Sequence, residues 1–270
     1  MFDTLLTIGS FQLRTLSIFQ VLAFFSAAFV FWRRGRQEHY SEAQIMDAFL
    51  LTFLVGGIAG RIGFVALNFA QFEWRVLDWL NLVQFPGMQM LIGLIGACVY
   101  LFLYARKNKW DSFEVLDFFA QALSIALFWL NIGYFFAGVR FGTATNMPWG
   151  IIFPGVFEKR HPLQLYFALF HLVMYKLLWW FEYNYRTFEW YRAGKKTAQT
   201  GFVFIAYVLF YMIFSWLMTW LGHSQILIGE LVLDSYLYLI IILLMLRLLL
   251  SRARRKFFSF KEKRFFAVDK

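Results

Sequence analysis

Polar side chains are scarce in this chain, so those that interrupt its apolar runs are where chemistry can reside. Arg61 stands inside a glycine cluster, GGIAGRIG at 56–63. Asn131, Tyr134 and Gly138 lead to Arg140 in LNIGYFFAGVR, and Arg160, His161, Gln164 and Tyr166 follow Gly142 in the string RHPLQLY. A guanidinium offers fork-like donors matched to phosphate oxygens, so Arg61, Arg140 and Arg160 form a candidate phosphate-binding set. An arginine within a membrane span is costly unless paired or hydrated, and Arg61 therefore marks a polar pocket. Arg140 equally suits an interfacial anchor whose head snorkels to water. His161 precedes Pro162, a residue favoured at the first helical position, so it suits both a hydrogen-bonded helix start and a weak candidate base. Asn131, Tyr134, Gly138, Gly142, Gln164 and Tyr166 would shape the site. His171, Lys176 and His223 have nothing around them in the sequence that suggests chemistry.

Other site chemistries find no support. HExxH, nucleophile-elbow, phosphate-loop and Cys/His ligand spacings do not occur, so soluble-hydrolase and metal readings find no support. The single Cys98 falls inside an apolar run, where a thiol packs as a small hydrophobe, and no disulfide framework is available.

The elements that must position these residues are legible from composition. Hydrophobic residues make up 61% and charged residues 16% of the 270, where a soluble domain carries about a quarter charged. Mean hydropathy is +0.59. Apolar runs at 11–32, 45–69, 88–104, 113–138, 162–181, 201–221 and 225–250 are long enough to cross a hydrocarbon core, which takes about 20 residues of helix. The expected fold is an all-α polytopic membrane protein of about seven spans, since runs so continuously apolar suit helices better than a closed barrel. Asn131 and Asp234 interrupt the fourth and seventh runs.

Lys and Arg gather in alternate connections, at 32–37, 105–109 and 186–196 and in the tail after Ser251, which predicts an N-terminus outside and a C-terminus in the cytoplasm. The net charge of +10 follows this topology, so nucleic-acid binding is the weaker account of it. The first apolar run lacks a basic leader and a cleavage site and reads as a retained helix. One membrane domain at 1–250 and a basic tail at 251–270 are expected, with two longer outer connections. Residues 71–87 suit an interfacial segment, and residues 139–160 suit a loop folded back on the bundle. Glycines at 56–63 and 87–96 let helix backbones approach closely.

Several strings together carry a family resemblance. GRIGFV at 60–65, GMQMLIGLIG at 87–96, FEVLDFFA at 113–120, MPWGIIFPG at 147–155 and RHPLQLYFA at 160–168 occur in an order that resembles the prolipoprotein diacylglyceryl transferases, with weaker matches in GFVFIAY at 201–207 and SQIL at 224–227. The resemblance implies a seven-span bacterial inner-membrane enzyme. Its reaction would move diacylglyceryl from phosphatidylglycerol to the thiol of a lipobox cysteine in a secreted preprotein, with no cofactor. The chain also departs from the family pattern. Leu91 stands where the family has the histidine of its His-Gly-Gly-Leu motif. Asn131, Tyr134, Ala137 and Val139 replace the arginine, two asparagines and glutamate of its signature. Tyr211 and Ser215 align with a late arginine and glutamate, and Leu16 with a tyrosine. A divergent transferase with a rearranged polar set and a catalytically silent lipid-binding or partner-binding relative are both open. A small-solute transporter is the weaker reading, because internal repeats and buried pairs of opposite charge are not expected. The oligomeric state is left open.

Overall fold

The apolar runs become a bundle of long helices. The structure, a computed structural model, describes residues 4–8, 11–82, 84–186, 197–222, 227–228 and 231–253, and the side chains of these except at 4–13, 227–228 and 231–234. His223, most of the SQIL string, the basic residues at 187–196, the tail beyond 253 and the side chain of Asp234 lie outside this description.

Hairpin β1 (Thr4–Ile8) and β2 (Phe11–Arg14) precedes α1 (Thr15–Gln37) and α2 (Glu42–Leu67). Two short helices follow, α3 (Phe69–Phe72) and α4 (Val76–Leu80), then α5 (Met90–Lys107) and α6 (Ser112–Ala137). The hairpin β3 (Ile151–Ile152) and β4 (Lys159–Arg160) leads to α7 (Leu163–Phe181), which passes into a π-helical turn at Glu182–Arg186. Helix α8 (Phe202–Thr219), hairpin β5 (Leu227–Ile228) and β6 (Leu231–Val232), and α9 (Leu233–Arg252) complete it. Six of the helices, α1, α2, α5, α6, α8 and α9, are long and apolar enough to cross a membrane. The remaining expected span, α7, is 19 residues long, and Gln164, His171 and Lys176 lower its apolar content. It packs against α6 and α8, and its Gln164 and His171 are buried in protein while Lys176 is exposed.

Helix α6 is the axis of the bundle, packing against α1, α5, α7 and α8. Helices α2 and α5 meet through small residues. A Cβ added to Gly93 would lie 2.9 Å from the Gly56 carbonyl oxygen, and the Gly60 carbonyl accepts the Gln89 N–H at 2.8 Å. Larger side chains would force these backbones apart.

The bundle has a basic end, where Arg34, Arg36, Arg106, Lys107 and Arg186 cluster, and a loop end formed by residues 69–89 and 138–162. At the basic end an ionic knot joins four segments. Asp117 of α6 is fully buried. Its carboxylate accepts from Arg186 at 2.7 Å and from the backbone N–H groups of Gly201 at 2.8 Å and Phe204 at 2.7 Å. It thus caps the start of α8 from another helix, supplying the negative charge that orphan N–H groups and the helix dipole favour. Arg186 also pairs with Glu114 at 3.3 Å, and Tyr40 donates to Glu114 at 2.7 Å. Glu182 binds Arg34 and Gln121. Burial alone would lower the basicity of Arg186, but Asp117, Glu182 and Glu114 outweigh it and hold the guanidinium more firmly charged. The sequence expectation of no buried opposite charges is corrected here: the partners are far apart in the chain and meet only when α6 and α7 pack.

At the loop end Arg61, buried in α2, spends every guanidinium N–H on backbone carbonyls. Nε donates to Trp79 at 2.6 Å, Nη1 to Phe85 at 2.7 Å and Gly87 at 3.0 Å, and Nη2 to Asp78 at 3.2 Å and Asn81 at 3.5 Å. The rings of Phe64 and Phe72 lie at 5.7 and 5.2 Å from its guanidinium carbon. A guanidinium has five N–H donors, so none remains for a lipid phosphate in this arrangement. The expectation that Arg61 grips phosphate gives way to a structural role, holding the segment 78–87 onto the bundle.

Two outcomes are expected. Asp117→Ala strands Arg186 and uncaps α8. It should lower unfolding stability in detergent by about 3–5 kcal/mol, read as a fall in thermal midpoint, whereas an unchanged midpoint would refute the capping role. Arg61→Lys keeps the charge but cannot meet five carbonyls. Amide hydrogen exchange across 78–87 should speed up about tenfold or more, and equal exchange would show that the guanidinium does not hold this segment.

Candidate functional site

A cavity lies toward the loop end between α6, α7 and α8. Helical spacing explains its walls. On α6, Leu127, Leu130, Asn131 and Tyr134 share one face, and on α7 Gln164, Phe167 and His171 form a stripe at i, i+3 and i+7. Tyr211 of α8 and Met90 of α5 close the sides, and Arg140 stands at the rim. The space open to a water-sized group is ≈ 30 Å³, room for about one such group.

The rim is built by the end of α6. Gly138 ends the helix in the left-handed region, with φ 69°, and its N–H and that of Val139 bond back to the carbonyls of Phe135 and Tyr134 at 3.1 Å each. Glycine takes this conformation without a Cβ penalty. Arg140 is also left-handed, at φ 62°, a conformation that costs a non-glycine residue. The turn lays its guanidinium carbon 4.5 Å from the centroid of the Tyr134 ring, a cation–π contact. Arg140 is exposed and forms no ion pair among the described residues, so its donors are open to an anion.

Inside, Asn131 donates to the Leu127 carbonyl one turn back, at 2.7 Å. Gln164 is buried. Its Nε2 donates to the Val139 carbonyl at 2.6 Å, tying α7 to the rim, while its Oε1 has no hydrogen-bond partner. His171 is equally buried and shares a 3.2 Å hydrogen bond between Nδ1 and the Tyr207 hydroxyl. Sequence reasoning set His171 aside. The signal that could have found it is its seven-residue spacing from Gln164, which puts both on one face of α7.

The remaining predicted site residues form a second layer in the loop above. His161 Nδ1 lies 3.2 Å from the Tyr166 hydroxyl, which also accepts from Trp149 Nε1 at 2.8 Å. The backbone N–H of His161 bonds to Thr143 at 3.1 Å, and the Gly142 N–H bonds to the His161 carbonyl at 2.8 Å. A Cβ at Gly142 would lie 2.4 Å from the Leu221 carbonyl oxygen, so only glycine lets the loop close against α8. Arg160 pairs loosely with Glu158 at 3.7 Å and lies over Phe141, while its buried Nε has no partner. The cavity lining therefore unites Asn131, Tyr134, Arg140 and Gln164. Arg160 and His161 belong to the covering loop, Tyr166 meets it from the first turn of α7, and Arg61 of α2 holds the other connection.

The arrangement suits an anion at the rim with a small polar group below it. Comparisons with known proteins agree with the fold and with the strings that carry the sequence resemblance. The family model of the prolipoprotein diacylglyceryl transferases matches residues 3–251. The phosphatidylglycerol–prolipoprotein diacylglyceryl transferase of Pseudoalteromonas atlantica is 34% identical over 177 residues, covering 64% of this chain and 62%, a little under two thirds, of that protein. Its counterpart in Vibrio cholerae is 34% identical over 183 residues, with 66% and 67% covered, and that of Aeromonas salmonicida 32% identical over 212 residues, with 74% of each covered. With nearly the whole chain matched by the family model, the protein belongs to the prolipoprotein diacylglyceryl transferase family.

Proposed function

We propose that this protein transfers a diacylglyceryl group from phosphatidylglycerol to the cysteine thiol of a lipobox-containing preprotein, in a bacterial inner membrane. The observation that carries this reading is the cavity beneath Arg140, a cation with no carboxylate partner among the described residues, at the rim of a pocket that holds Asn131, Gln164 and His171 inside an apolar bundle. The names of the relatives supply the lipid and the acceptor. The Lys and Arg content of the basic end supports a cytoplasmic face for it, with the N-terminus outside and the C-terminus inside.

In the transfer, the thiol sulfur forms a bond to the glyceryl carbon and the C–O bond to phosphate breaks. The electron pair leaves with glycerol phosphate, and the thiol proton passes to His161 and on to water. Arg140, with Arg160 from the covering loop, holds the phosphate and offsets the charge that grows on it, the kind of fixed electrostatic stabilisation that contributes most in a water-poor site. Asn131, Tyr134 and Tyr211 line the cavity at positions where the chain departs from the family pattern, which fits a transferase with a rearranged polar set.

A second reading is favoured by a specific observation: Leu91, Val139 and Ser215 bring no charge to positions where the family carries ionisable groups. A catalytically silent relative would keep the bundle and bind lipid or a partner. Expression in cells depleted of their own transferase, followed by mass measurement of a model lipoprotein, separates the two. A diacylglyceryl adduct is expected, with Arg140→Ala lowering its rate of formation about a hundredfold. Absence of adduct from well-folded protein would overturn the transferase reading in favour of the silent relative.

A further inference from the structure

The floor of the cavity holds a complementary pair that the reaction as written does not use. Tyr207 is buried, and its one hydrogen bond among the described residues runs to His171 Nδ1. With His171 Nδ1 its one acceptor among the described residues, the phenol is assigned as the donor, which leaves the neutral imidazole with its proton on Nε2. Nε2 has no hydrogen bond among the described residues, and His171 lines the cavity. Gln164, one stripe along the same helix face, presents the opposite polarity: Nε2 is committed to Val139, and Oε1 is a buried acceptor without a donor. One donor and one acceptor thus belong to residues that line a space of ≈ 30 Å³. That space takes about one oxygen-sized group. A hydroxyl is the group that can accept from one partner and donate to the other.

We propose that His171 and Gln164 form a hydroxyl-reading subsite that selects phospholipids carrying a headgroup hydroxyl, with the phosphate held above at Arg140. The proposal rests on the reading of this cavity as the lipid site. Tyr207 is the positioning residue, because it sets which imidazole nitrogen carries the proton. A phosphodiester lipid with the same charge but no headgroup hydroxyl leaves both buried groups unsatisfied, which is the strongest form of discrimination a polar pocket offers. A water molecule occupying the same space would meet the same two groups, but it would erase any difference between the lipids.

The test measures binding, which does not depend on turnover. Purified protein in detergent is titrated with phosphatidylglycerol and with phosphatidylethanol of identical acyl chains, and lipid retention is read by native mass spectrometry. Phosphatidylglycerol should bind roughly tenfold to a hundredfold more tightly. His171→Phe and Gln164→Leu should bring the two lipids to parity. Tyr207→Phe, which keeps the ring and the packing, should narrow the gap in the same way and serves where either first variant fails to fold. Arg140→Ala should weaken both lipids alike. Equal binding of the two lipids to the unaltered protein, or discrimination that survives His171→Phe or Tyr207→Phe, overturns the subsite while leaving the lipid site standing. Binding of neither lipid overturns the lipid-site reading, and the subsite with it.

Discussion

A polar group inside an apolar bundle must find its partner within the chain, and the buried carboxylate of Asp117 shows how much of this structure follows from that demand. Placed on the central helix, it satisfies the free N–H groups at the start of α8 and the guanidinium that ends α7. An isolated charge there would be prohibitive, whereas one carrying several charge-assisted bonds becomes a joint. The helices that wall the cavity, α6, α7 and α8, are the ones this joint ties together. Their relative placement at the loop end is therefore set in part at the opposite end of the bundle.

The same demand separates the arginines by role. Arg61 meets it completely, with five carbonyls and two aromatic faces, and so becomes architecture. Arg140 meets it least, with one ring beneath it, no ion pair among the described residues and a strained backbone. Arg160 is intermediate, loosely paired and with one buried nitrogen unsatisfied. Three residues of one type at a membrane boundary look equivalent until their donors are counted, and the count singles out Arg140 as the cation most open to a ligand.

The site also shows how helix geometry gathers polar groups. Asn131 and Tyr134 from α6, Tyr211 from α8 and His171 from α7 line one space, although the motifs do not mark His171. Helical periodicity preserves which side chains converge, since a substitution changes the group but not its angle about the helix axis.

By itself, the sequence determined the helical class, the runs that become the long helices, the two longer connections and the family, because span length, composition and ordered strings are local properties of the chain. It also indicated that Arg140 and Gln164 belong near one another, through the strings that carry them. It could not reveal that Arg61 is fully committed to carbonyls, that Asp117 and Arg186 pair across 69 residues of sequence separation, or that His171 shares a cavity with Gln164 and Tyr211. Those outcomes depend on helix rotation and on which backbone groups a folded loop presents. The tertiary structure alone decided them, because burial and pairing of a polar group are properties of its neighbours in space.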